Sequence, residues 1–143
     1  AGAITRLLDM GVENYLISSA LIGVLAQRLV RVICKNCKEP TKVASALIDE
    51  LGTCGHEDIK AFHGKGCKVC SQTGYRGRAG IYELLVVDDS IRQLILAKST
   101  AQKIRDFARD QGMTTLREDG WKKVAAGITT VEEVLRVTLN EQT

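Results

Sequence analysis

Cys34-Lys35-Asn36-Cys37 and Cys67-Lys68-Val69-Cys70 decide how the middle of this chain folds. Two residues between thiols let both sulfurs point at one ion from a single tight turn. A second such turn completes a tetrahedron of four sulfurs, the arrangement structural zinc takes. The pairs stand 29 residues apart, longer than the usual ribbon spacing. Loop-closure entropy grows slowly with length, so the extra residues cost only about 0.5 kcal/mol and leave a shared site open. Two local disulfides or two redox dithiols are the alternative uses of the same pairs. A four-thiolate site is closed: it leaves no coordination position for substrate, and its metal builds structure.

Four thiolates around a divalent cation carry a net charge of about −2. Lys35, Lys38, Lys65, Lys68, Arg76 and Arg78 crowd the same stretch and can offset it, although each is also what a solvated basic face would carry. Cys54, His56 and His63 lie between the pairs and could replace a ligand. Cys54-Gly55-His56 makes a poorer chelating turn, so Cys54 reads as a free thiol and both histidines as polar residues of the connection.

At 143 residues the chain suffices for one compact domain, or for the end of a larger protein with a small insert. Apolar residues make up 45% and aromatics only 4%, so the core is aliphatic. A net charge of +3 is too weak by itself to imply nucleic acid. No run of apolar residues is long enough to span a bilayer. The chain opens Ala1-Gly2-Ala3, without an initiator Met or signal peptide, and reads as a fragment or processed chain. An odd cysteine count beside two metal-type pairs favours a reducing compartment.

Along the chain, Ile4, Leu7 and Leu8 fall at helical spacing and Gly11 is a good stop. Leu16, Ile17, Ala20 and Leu21 are helix-spaced, whereas the run from Gln27 to Ile33 alternates as a strand does. A short helix is expected from Ser45 to Leu51, a glycine-punctuated loop from Thr73 to Gly80, and a strand from Ile81 to Val87. Beyond Ser90 the chain reads as helical. Ser99-Thr100-Ala101-Gln102, Thr115-Leu116-Arg117-Glu118 and Thr130-Val131-Glu132-Glu133 each fit a capping box. Apolar triplets follow at Ile91/Leu94/Ile95, Ile104/Phe107/Ala108, Trp121/Val124/Ala125 and Val131/Val134/Leu135, with Trp121 as a core anchor. These helices have their own aliphatic core and caps and are expected to survive loss of the metal. There is no internal repeat and no low-complexity linker.

Catalytic patterns are absent. A Walker loop needs Gly-x-x-x-x-Gly-Lys followed by Ser or Thr, yet the only Gly-Lys pair, Gly64-Lys65, is followed by Gly66. Two histidines leave little material for acid–base chemistry.

The order of features resembles the C-terminal third of type II secretion and type IV pilus assembly ATPases. The resemblance is carried by Gly2-Ala3-Ile4-Thr5-Arg6-Leu7-Leu8-Asp9-Met10-Gly11, by Leu25-Ala26-Gln27-Arg28-Leu29-Val30-Arg31, and by the cysteine pairs followed by Thr73-Gly74-Tyr75-Arg76-Gly77-Arg78. Gly80-Ile81-Tyr82-Glu83-Leu84-Leu85 and the segment from Gly127 to Thr138 extend it, and the segment from Val43 to His63 is the least similar. Val86-Val87-Asp88-Asp89 and Arg136-Val137-Thr138 lean toward the secretion branch. The resemblance implies a cytoplasmic motor, peripheral to the inner membrane, that works as a homo-hexamer on inner-membrane platform proteins. It would hydrolyse ATP with magnesium to assemble pseudopili or pili, and bind no nucleic acid. Its Walker, acidic and histidine boxes would precede Ala1, leaving this piece inactive alone.

The fold it implies is mainly α with a few short strands. Residues 1–33 would end a RecA-like α/β core, 34–74 form a tetracysteine zinc element, and 75–143 a strand and C-terminal helical region. Cys34, Cys37, Cys67 and Cys70 match the family's metal positions, and Arg28 falls where the core approaches nucleotide. Two other classes of function stay open on the residues alone: a stand-alone zinc-ribbon module binding nucleic acid, and a cysteine redox or chaperone-type domain.

Overall fold

The computed structural model describes residues 1–42 and 60–139. The helix expected at Ser45–Leu51, Cys54 and His56 lie outside the described residues. In order, the elements are α1 (Gly2–Asp9), α2 (Asn14–Ala20), β1 (Gly23–Ile33), β2 (Lys38–Thr41), β3 (Ala61–Gly64), a single 3₁₀ turn (Lys68–Cys70), β4 (Tyr75–Val86), α3 (Asp89–Leu96), α4 (Ala101–Asp110), α5 (Leu116–Ala125) and α6 (Val131–Thr138).

Among the described residues helices outnumber strands, but β1 and β4 are 11 and 12 residues long, so "mainly α with a few short strands" fits only in part. The difference lies at Thr73–Gly80, expected as a loop. From Tyr75 onward that stretch is strand, because pairing with β1 overrides the poor strand preference of glycine. Gly77 sits at φ +85°, where a side chain would be strained, so the glycine accommodates an irregularity within the strand and does not end it. β2 and β3 pair antiparallel, with Lys38 opposite Gly64 and Thr41 opposite Ala61.

The chain divides into two compact units. The first comprises residues 1–26 and 83–115. Ile4, Ile17, Leu85, Val87, Ile91, Ile95, Ile104 and Ala108 form its core, with Leu7, Leu8 and Phe107 packed against them. The expected triplets of α3 and α4 thus face one aliphatic interior, where each fully buried isoleucine contributes about 2–3 kcal/mol. Asp88 caps α3 by accepting from the Ile91 N–H at 2.8 Å. For α4 the cap is Thr100, accepting from Lys103 N–H at 3.3 Å, one residue later than the Ser99 box suggested.

The second unit comprises residues 27–82 and 116–143. Val30, Ile33, Ile81, Leu116, Trp121, Val124, Val131, Val134 and Leu135 are buried in it, so Trp121 is a core anchor and Ala125 of its triplet is exposed. This unit gathers the cysteine segment together with α5 and α6.

Candidate metal centre

β1 delivers Cys34 directly after the buried Ile33, and the Cys37 N–H returns to the Cys34 carbonyl at 3.2 Å to close the first turn. The second turn repeats the device, with Cys70 N–H donating to the Cys67 carbonyl at 3.2 Å. Its exit winds through left-handed backbone at Ser71, Gln72 and Gly74. The turns are held against each other by backbone: Cys34 N–H donates to the Gly74 carbonyl at 2.9 Å, and Lys65 N–H to the Cys37 carbonyl at 3.0 Å. Gly64 and Gly74 meet where no side chain fits. A Cβ on Gly64 would overlap the Gly74 carbonyl oxygen and stand 2.6 Å from its carbon.

Those turns bring Cys34, Cys37, Cys67 and Cys70 together, with all four sulfurs within 4.8 Å of one another. Cys34–Cys67, Cys37–Cys70 and Cys67–Cys70 sulfurs lie 3.9, 3.8 and 3.7 Å apart. Ligands about 2.3 Å from a tetrahedral zinc have sulfur–sulfur edges of about 3.8 Å, and these three edges match that length. All four thiols are free, and these separations are far beyond the ~2.05 Å of a disulfide.

The cage is wired for negative charge. Cys70 Sγ accepts from the N–H groups of Cys67 and Gly74 at 3.2 and 3.3 Å, and Asn36 Nδ2 approaches Cys67 Sγ at 3.5 Å. Burial raises the Cys70 thiol, but those backbone donors outweigh it and bring it down to about 6. The Asn36 amide chiefly lowers Cys67. Cys37 goes the other way, pushed up to about 12 mainly by burial and further by its neighbouring thiols.

Lys35, Lys38, Lys65, Lys68, Arg76 and Arg78 are all exposed, and Lys38 Nζ lies 4.2 Å over the Phe62 ring. His63 stays outside the cluster on β3, its Nε2 3.2 Å from Glu39 Oε1. Arg28 is exposed on β1, its guanidinium donating to the Gln27 carbonyl at 3.4 Å.

The family model described as "Type II/IV secretion system protein" matches residues 1–136. The chain belongs to that family. It is 52% identical over 140 residues to "Type II secretion system protein E" of Pseudomonas aeruginosa, covering 98% of this chain and 28% of that protein. It is equally 52% identical over 141 residues to "Type IV pilus assembly ATPase PilB" of Thermus thermophilus, covering 97% of this chain and 16% of that one. With "Type II secretion system ATPase E" of Vibrio cholerae it shares 46% over 137 residues, 96% of this chain and 27% of the relative. The equal first two identities do not separate the secretion branch from the pilus branch. The chain spans under a third of the length of these relatives.

Sequence reading of this family member missed a second cluster, on the other flank of the cysteine turns. Glu133 is almost completely buried, yet ionised between two arginines. Its Oε1 accepts from Arg31 Nη2 at 2.7 Å and Arg136 Nε at 3.0 Å; its Oε2 accepts from Arg31 N–H at 2.9 Å and Arg136 Nη2 at 2.8 Å. Thr130 does cap α6, accepting from Glu133 N–H at 3.4 Å, as the Thr130–Glu133 box suggested. The Glu133 side chain, however, leaves the helix for β1, and nothing in local spacing announces that.

Burial raises the Glu133 carboxyl, but the Arg136 and Arg31 bonds and the Arg31 amide outweigh it and hold it down to about 2. A depressed carboxylate contributes stability that is full above its unfolded pKa and is lost as pH falls through its folded one. From 4.5 to about 2 this amounts to roughly 3 kcal/mol. Acid titration of Glu133→Gln should therefore lack the part of the stability loss between pH 4.5 and 2 that the unsubstituted chain shows. Identical acid profiles for the two would contradict the assignment.

Proposed function

We propose that this chain is the C-terminal part of a motor ATPase that powers pseudopilus or pilus assembly, and that its four cysteines hold one structural zinc. The observation that carries the reading is the family match across residues 1–136 to relatives named as secretion and pilus ATPases. ATP and magnesium would bind to the remainder of the protein, since the 143 residues contain no Walker loop. Residues 1–33 would complete a RecA-like core with Arg28 toward the nucleotide, 34–74 form the zinc element, and 75–143 the C-terminal region. The whole motor would act as a homo-hexamer on the cytoplasmic side, peripheral to the inner membrane, against platform proteins there. Among the described residues no helix is long and apolar enough to cross a membrane.

Zinc fits the residues present. The donor set is all thiolate, the sulfur separations match a tetrahedral edge, and amide donors already point at Cys67 and Cys70. When bound, the ion supplies a fourfold cross-link and no open position. Cys34 and Cys70 are buried while Cys37 and Cys67 are partly accessible.

Two measurements test this reading. The purified chain should show no ATP turnover, while the full-length protein hydrolyses ATP. Turnover by the 143-residue chain that survives contaminant controls would contradict the assignment of the catalytic machinery. The same preparation should carry one zinc per chain, and purification without bound metal under reducing conditions would contradict the zinc.

A further inference from the structure

The four ligands lie on two turns, and both turns are anchored to α6 by side chains remote in sequence. Arg31 stands three residues before Cys34. Its N–H donates to Glu133 Oε2 at 2.9 Å, its carbonyl accepts from Thr129 Oγ1 at 2.8 Å, and its guanidinium binds Glu133 Oε1 at 2.7 Å. Ile33 N–H donates to the Ile128 carbonyl at 2.9 Å. Here the segment before α6 and one buried carboxylate occupy the edge of β1 that a further strand would otherwise pair. On the other turn, Tyr75 shares a hydrogen bond with Thr130 Oγ1 at 3.0 Å while its ring lies 4.2 Å under the Arg31 guanidinium. Tyr75 follows Gly74, whose N–H donates to Cys70 Sγ and whose carbonyl accepts the Cys34 N–H. The two routes from α6 converge on Cys34 and Cys70, the buried ligands.

We infer that Glu133 is a positioning residue of the metal centre: through Arg31 and Tyr75 it sets the separation of the Cys34 and Cys70 turns and so the affinity for the ion. Glu133 uses four hydrogen bonds from three donor groups of two residues, and no shorter or neutral side chain reproduces them. Outer partners that orient ligands typically change metal affinity 10–100-fold when removed. The coupling is reciprocal, so an ion in the cage also stabilises the Arg31–Glu133 contact. This inference rests on the zinc reading above.

The test loads the 143-residue chain with Co²⁺, whose thiolate absorption reports a tetrahedral sulfur shell, and follows transfer of the ion to an excess of chelator. Glu133→Gln, of the same volume, should keep one Co²⁺ per chain and release it about tenfold faster, with a broadened spectrum. Tyr75→Phe, which removes only the hydroxyl link to Thr130, should speed release to a smaller degree. Asp119→Asn serves as the control. Asp119 lies in the same compact unit, where it binds Lys123 Nζ at 2.6 Å and Tyr82 N–H at 2.9 Å, and it touches neither cysteine turn. It should cost stability without changing release. Unchanged release in Glu133→Gln would overturn the inference whatever Tyr75→Phe does, as would equal acceleration by Asp119→Asn. If Glu133→Gln does not fold, Tyr75→Phe against Asp119→Asn decides. Failure of the unsubstituted chain to bind Co²⁺ at all would instead overturn the metal reading itself.

Discussion

Cys67→Ser is expected to abolish binding of the proposed zinc and to unfold the compact unit that contains the cysteines, while the other unit remains folded. Structural zinc sites contribute binding free energy on the order of 10 kcal/mol that is also folding free energy, against total stabilities of about 5–15 kcal/mol for a domain. Cys67 Sγ sits 3.9 and 3.7 Å from the Cys34 and Cys70 sulfurs, and its loss removes one of the four corners of the cage. The unit around it includes α5 and α6 as well as the turns. From sequence, every helix beyond Ser90 was expected to survive such a change. The two compact units narrow that expectation to α3 and α4, whose core is built from Ile91, Ile95, Ile104 and Ala108 with Ile4 and Ile17. Hydrogen exchange on the variant should lose protection in β1 after Gln27, in β2, β3 and in α5 and α6, and keep it in α3 and α4. Uniform loss across all helices, or loss confined to the cysteine turns, would each contradict this picture.

Gly64→Ala has the second largest expected effect, because the clash is backbone against backbone. The new methyl would overlap the Gly74 carbonyl oxygen and lie 2.6 Å from the Gly74 carbonyl carbon and Cα. Gly74 cannot retreat freely: it sits at φ +76°, its N–H points at Cys70 Sγ and its carbonyl binds Cys34 N–H. Forced overpacking costs about 1–3 kcal/mol in an adaptable core, and here the cost falls at or above the top of that range. A loss of bound zinc should accompany it. Gly112→Ala is the comparison. Gly112 has φ +93° but open space around the added methyl, so its cost is strain alone, about 1–2 kcal/mol, with zinc retained. Denaturant midpoints together with metal content measure both. Equal destabilisation by the two substitutions would show that the Gly64–Gly74 contact carries no special constraint.

What could be read in the sequence follows from how local each determinant is. The cysteine pairs were legible because a chelating turn is written within four residues and repeats. Helices α3 to α6 were legible from apolar spacing, and α4 and α6 from hydroxyl caps as well, although Thr100, not Ser99, takes the cap of α4. The early start of β4 was hidden, because Gly74, Gly77 and Gly80 look like loop residues until a partner strand is present. Asp88 as the cap of α3 lacked the glutamate or glutamine that completes a box. The Glu133 network was not legible at all. Its partners lie 102 residues away on β1 and one turn along α6, and an acid three residues after a threonine reads as a cap. Buried ion pairs between distant elements have no sequence period, so only the folded backbone reveals them.

Zinc K-edge X-ray absorption on the chain purified under reducing conditions, with elemental analysis of the same sample, tests the central claim most directly. The account predicts one zinc per chain in a shell of four sulfurs at about 2.3 Å, with no nitrogen or oxygen ligand. A mixed sulfur–nitrogen shell would bring in a histidine such as His63, and a reduced chain that folds without zinc would leave the four gathered thiols unexplained; either result would contradict it.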